Sequence, residues 1–153
     1  LKFIDFAISF LKTVAYNQKN HYAMQLTMTR ILVIDDDEQV REMLKLFLEC
    51  AGYDVLVAAD GRSGMDLFQT HPASLVITDI LMPEKEGLET IMELRKAYPD
   101  VSVIAMSGGG HLPPDQYLSI AVKLGANRTF FKPVDCAELL DTVREILNEP
   151  VTV

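Results

Sequence analysis

Tryptophan is absent from the 153 residues and cysteine occurs only twice, while no uncharged apolar run approaches the roughly 20 residues a membrane-spanning helix needs. Two cysteines, Cys50 and Cys136, cannot build a disulfide framework. They lack metal-ligand spacing and fall in helix-like segments, which predicts reduced, buried thiols in a cytoplasmic chain. Positive charge is also scarce. Fourteen Lys and Arg stand against 22 Asp and Glu, a formal charge of −8, which argues against the clustered basic face that nucleic acid requires. What is present is ordinary: 49 % hydrophobic and 24 % charged residues predict one globular domain whose core needs no staples.

Residues 1–28 differ from the rest and are read as an N-terminal extension. Phe3, Phe6, Ala7, Phe10, Leu11 and Val14 have amphipathic helical spacing, broken by Lys2, Asp5 and Lys12. The stretch is too short and too charged to span a bilayer and lacks a small-residue cleavage site. Residues 17–27 are polar and aperiodic. The chain begins with Leu, while Met28 directly precedes the first clear strand. A flexible or loosely helical addition is expected, with a docking helix as the alternative. The division is then 1–28 extension, 29–149 folded domain and 150–153 tail.

From Arg30 onward, β-branched runs at 31–34, 54–58, 74–78, 101–105 and 128–131 alternate with helical periodicity at 38–51, 61–70, 88–97, 115–124 and 136–148. Continuously apolar strands such as "ILVI" and "LVIT" suit a parallel sheet covered on both faces. The expected fold is a doubly wound α/β sandwich of five parallel strands. Ligands in such sheets bind beyond the carboxyl ends of the strands.

Those ends carry Asp35, Asp36 and Asp37 after the first strand, Asp79 after the third, Ser107 after the fourth and Lys132 after the fifth. The second strand ends in Ala58-Ala59-Asp60-Gly61, a turn and helix cap. Adjacent carboxylates repel by about 1 kcal/mol per close pair even in water, so a cation is expected among them. Hard oxygens select Mg2+ or Mn2+. A carboxylate beside a dication, an ammonium and a hydroxyl has what a phosphoryl acceptor needs.

These residues resemble the receiver domain of two-component response regulators over about 29–148. "ILVIDDDEQVR" is similar to its first strand and acidic pair, "LVITDILMPEKEGLE" to its phosphoacceptor strand and loop, "VIAMSGGG" to its fourth strand with a hydroxyl, and "LGANRTFFKP" to its fifth strand with Lys-Pro. The resemblance implies a flavodoxin-like strand order 2-1-3-4-5, phosphorylation of Asp79, and Mg2+ held by Asp35, Asp36, Asp79 and the carbonyl of Leu81. It also implies that Ser107 and Lys132 contact the phosphoryl group, that the Lys132–Pro133 bond is cis, and that the donor is a histidine kinase or a histidine phosphotransfer protein. The chain would be a signalling module rather than a metabolic enzyme. The few residues after Lys132 suffice for one helix, so output is expected through protein contacts or through passing the phosphoryl group on.

Several residues have plainer readings. Asp37 is a helix cap, Pro83 and Gly87 are turn formers, and Met43, Met65, Met92 and Met106 fill the core. His111 is too isolated for a relay or a metal site. Thr129 stands where the family usually has an aromatic switch, which suggests ordering of the glycine-rich segment 108–114 as the conformational readout. A competing enzyme reading takes Asp35 and Asp37 as the nucleophile and acid/base pair of a haloacid-dehalogenase-type phosphatase. Against it, Glu38-Gln39 replaces that family's Gly-Thr.

Overall fold

The computed structural model describes residues 28–82, 87–108 and 113–148. Among them, five strands, β1 (Arg30–Ile34), β2 (Asp54–Ala58), β3 (Leu75–Asp79), β4 (Ser102–Ser107) and β5 (Arg128–Phe131), alternate with five helices. These are α1 (Glu38–Cys50), α2 (Gly61–Thr70), α3 (Gly87–Ala97), α4 (Pro114–Lys123) and α5 (Cys136–Ile146). All the strand pairings are parallel, in the order β2-β1-β3-β4-β5. The expected doubly wound sheet is therefore present, with its strand order reversing between β1 and β3. No helix among the described residues is long and apolar enough to cross a membrane.

Alternation along the central strands divides the core in two. Ile31, Val33, Leu75, Ile77, Ile104 and Met106 pack on one face against Leu44 and Leu48 of α1 and Leu139 and Val143 of α5. Leu32, Ile34, Val76, Val103 and Ala105 face Met65 and Phe68 of α2, Ile91 and Leu94 of α3, and Leu118 and Ala121 of α4. Each fully buried side chain of this kind contributes about 1.5–3 kcal/mol, so both layers resist shear of one strand against the next. The strand ends are thereby held as a rigid rim.

Helix starts follow local chemistry. Asp37 caps α1 by accepting from the N–H groups of Gln39 (2.9 Å) and Val40 (3.3 Å). Asp60 caps α2 through Ser63 N–H (2.8 Å), and Asp135 caps α5 through Ala137 and Glu138. Two expectations about the core are corrected. Met65 and Met106 are buried, but Met43 and Met92 are exposed. Each lies one residue from an inward-facing neighbour, Leu44 or Ile91, and one helical step rotates it about 100° toward solvent. Cys50 is exposed and Cys136 half-buried, so neither is the buried thiol its helical context suggested. Both sit at helix termini, beyond the stripe that covers the sheet.

Candidate functional site at the carboxyl rim

β1 and β3 are neighbours in register, Ile34 opposite Thr78, so Asp35 and Asp79 leave the sheet side by side at the point where the strand order reverses. β4 lies on the other side of β3, with Asp79 opposite Met106 and Ser107 one step further. Lys132 follows β5 and donates its backbone N–H to Ser107 O at 3.0 Å. Asp35, Asp79 and Ser107 are buried, and Asp36 is exposed at the mouth.

The ammonium of Lys132 lies 2.6 Å from Asp35 Oδ2 and 3.4 Å from Asp79 Oδ2. Asp79 Oδ1 accepts from the N–H of Ile80 at 2.9 Å. Asp35 Oδ1 accepts from the N–H of Asp37 at 2.9 Å. Burial pushes the Asp79 carboxyl up to about 6, against the pull of Lys132 and with the repulsion of Asp35. For Lys132, burial opposes the charge, but the hydrogen bond to Asp35 and the charges of Asp79 and Asp35 outweigh it. Its pKa is raised. Two carboxylates thus share one ammonium, and with Asp36 beside them the rim keeps an excess of negative charge.

One carboxylate oxygen each from Asp35, Asp36 and Asp79 falls within a cluster of atoms no more than 4.8 Å apart. Asp35 Oδ2 is buried, and its polar contact among the described residues is the charged pair with Lys132. An all-oxygen, acid-rich set with such an oxygen in it fits a hard dication such as Mg2+. Leu81 lies two residues past Asp79, half-buried at the edge of the same rim. Asp37 takes no part in the cluster, because its carboxylate is used by the α1 cap. The Asp35 and Asp37 pairing of the phosphatase reading is not supported.

The Lys132–Pro133 bond is cis, as the resemblance implied. Thr129 is half-buried beside Ala105 of β4, Phe130 is buried, and Phe131 is 58 % exposed. Pro83, His111 and most of the glycine-rich segment, residues 109–112, lie outside the described residues. Two contributors were not visible in the sequence. Gly87 was read as an ordinary turn former, but a Cβ there would lie 1.9 Å from the backbone oxygen of Asp79. Its N–H also bonds Ile80 O at 2.8 Å, so the glycine lets α3 close directly on the end of β3. Arg41, on the first turns of α1, donates from Nη1 to Asp35 O at 2.7 Å. Nothing in a helical basic residue signals such a contact.

A family description, the response regulator receiver domain, matches residues 31–144. The transcriptional regulatory protein CpxR of Escherichia coli (strain K12) is 34 % identical over 121 residues, covering 79 % of this chain and 50 % of that protein. A probable transcriptional regulator, ycf27, of Cyanophora paradoxa is 33 % identical over 125 residues, with 82 % and 51 % covered. The chain spans about half the length of the curated relatives it matches. Among solved structures, a CheY-like receiver domain protein from Methanospirillum hungatei JF-1 superposes with a TM-score of 0.74 at 30 % identity, over 80 % of this chain and 95 % of that one. Chemotaxis protein CheY4 of Vibrio cholerae gives 0.71 at 27 % identity, over 78 % and 99 %. With its strand order, its acidic rim and its Lys-Pro element all in place, the chain belongs to the response regulator receiver domain family, the phosphorylation-activated signalling modules of two-component systems.

Proposed function

We propose that Asp79 is the residue that accepts the phosphoryl group, from a histidine kinase or a histidine phosphotransfer protein, and that the phosphorylated chain signals through protein contacts in the cytoplasm. The observation that carries this reading is the convergence of Asp35, Asp36 and Asp79 with the Lys132 ammonium on one strand-end rim. Asp35, Asp36, Asp79 and the Leu81 carbonyl would hold a Mg2+, which would neutralise charge on the transferring group. An oxygen of the Asp79 carboxylate attacks phosphorus as the bond from phosphorus to the donor nitrogen breaks. Ile80 N–H holds the other oxygen and so orients the nucleophile. Lys132 stabilises the negative phosphoryl oxygens, and the Ser107 hydroxyl binds one of them. Water later hydrolyses the acyl phosphate. The chain assists its own transfer and hydrolysis and does not turn over a metabolite.

Incubation with acetyl phosphate and Mg2+ tests the reading, because a positioned carboxylate needs only an activated donor. One acid-stable, base-labile phosphoryl group per chain is expected. Asp79→Asn abolishes it, and Lys132→Ala slows it while Mg2+ still binds. Labelling retained in Asp79→Asn would move the site, and labelling on Asp35 would favour the phosphatase chemistry instead.

A further inference from the structure

The polar atoms of Asp35 are held from four sides. Its N–H bonds Ala58 O at 3.1 Å, its Oδ1 accepts from Asp37 N–H at 2.9 Å, and its Oδ2 pairs with Lys132 at 2.6 Å. The fourth atom, the backbone oxygen, accepts from Arg41 Nη1 at 2.7 Å. That oxygen belongs to the peptide bond joining Asp35 to Asp36. A peptide unit is planar, so a charged hydrogen bond to its oxygen fixes the plane from which Asp36 departs. Asp36 itself is exposed and ends no strand. Arg41 is placed in turn by α1: its own N–H bonds Asp37 O at 3.0 Å, and Asp37 caps the helix. Residues 35–41 thus form a closed circuit in which the helix start returns a side chain to the peptide that precedes it.

We propose that Arg41 is a positioning residue for divalent-cation binding: by anchoring the Asp35–Asp36 peptide it aims the Asp36 carboxylate at the cluster shared with Asp35 and Asp79. The inference rests on the reading of those three carboxylates as the dication site. It makes an opposite prediction to simple electrostatics. Arg41 is a positive charge near an acidic site, so its removal by charge alone would tighten Mg2+ binding. Removal of an orienting partner weakens it, by about tenfold in comparable metal sites.

Calorimetric titration of the full chain with Mg2+, paired with thermal midpoints in chelator, separates the possibilities. Arg41→Met keeps the helix-forming stem and removes the donor, so about tenfold weaker binding is expected. Arg41→Lys, which retains one donor of similar reach, recovers most of the affinity. A merely structural contact would lower the metal-free thermal midpoint and leave Mg2+ affinity unchanged. Unchanged or tighter binding in Arg41→Met, with wild-type binding normal, overturns the positioning role alone. Absence of binding in the wild type overturns the metal reading and the inference with it. Asp36→Ala serves as the reference for loss of a direct ligand. Should Arg41→Met fail to fold, Arg41→Ala, which also removes the donor and keeps helix propensity, decides: weaker Mg2+ binding there supports positioning, and unchanged or tighter binding rejects it.

Discussion

The same sheet holds a cation at each end. At the carboxyl rim Lys132 faces Asp35 and Asp79. At the amino rim the Arg95 guanidinium reaches past α3 to Gly125 O (2.9 Å), Pro99 O (3.0 Å), Val101 O and Asn127 Oδ1 (2.9 Å). All the acceptors around Arg95 are neutral, and they match the fork of its donors. Burial draws its pKa down, yet its charge is fully clothed in oxygens. Asn127 Oδ1 also accepts from Val103 N–H at 2.7 Å, so one side chain and one guanidinium tie α3, β4 and the start of β5 together. The amino rim is a finished hydrogen-bond network. The carboxyl rim keeps more carboxylates than cations, and the Asp79 carboxyl among them has a raised pKa.

The largest effect that distinguishes the two ends comes from Arg95→Ala. It strips donors from the part-buried carbonyls of Gly125 and Val101 and from the exposed Pro99 O and Asn127 Oδ1, which together costs about 3 kcal/mol. Urea unfolding measures that loss. Because the site lies on the opposite rim, phosphorylation of the protein still folded proceeds at the wild-type rate. A fall in labelling rate matching the fall in stability would erase the distinction between a structural and a chemical end.

A smaller effect follows from the charge at Asp79. Its carboxyl is raised from 3.8 to about 6 in the folded protein. Below about pH 4 it is protonated in both folded and unfolded chains. Between about 4 and 6 the folded state holds a proton that the unfolded state has released, so its stabilising contribution shrinks as pH rises and is lost above about 6. Asp79→Asn cannot ionise and escapes the loss. In chelator at pH 7.5 that variant is expected to exceed the wild type by about 2 kcal/mol, and below pH 4 the difference vanishes. Mg2+ narrows the gap at pH 7.5 by restoring the wild type. Equal stability of the two proteins across the range would show that Lys132 already balances the site.

Much of the carboxyl rim was legible because its chemistry is written at strand ends. Asp35, Asp79, Ser107 and Lys132 each follow or close an apolar run, and the topology of parallel sheets gathers such residues on one side. The Asp37 cap was legible for a local reason, since its partners are two and three residues away. What stayed hidden depends on approach in three dimensions. Gly87 reads as a turn until the oxygen of Asp79 is found against it, and nothing in the sequence marks the bonds of Arg95 to Gly125 and Asn127, 30 and 32 residues on. Periodicity likewise finds helices but sets their facing only to within one residue, which is how Met43 and Met92 were assigned inward and emerge exposed. Boundaries moved little, except that β4 runs to Ser107 where 105 was expected, because Met106 pairs with both β3 and β5 and Ser107 with β5.

The smallest expected effect concerns residues 1–27. The family match begins at residue 31 and β1 at Arg30. The bonds that fix the entry of the chain, Asp54 N–H to Thr29 O (3.1 Å) and Ser74 N–H to Arg30 O (2.9 Å), survive a cut after residue 27. Both lie at the amino rim, the end that carries Arg95 rather than Asp79. A chain starting at Met28 is therefore expected to keep its thermal midpoint within about 4 °C, equivalent to less than about 1 kcal/mol, and to accept phosphoryl groups from acetyl phosphate at the full rate. Differential scanning calorimetry and a labelling time course read the two quantities separately. A larger drop in midpoint with labelling intact would make Phe3, Phe6 and Phe10 part of the structural end, as the docking-helix alternative requires. A change in labelling with the midpoint intact would carry their influence across the sheet to the carboxyl rim and break the separation of the two ends.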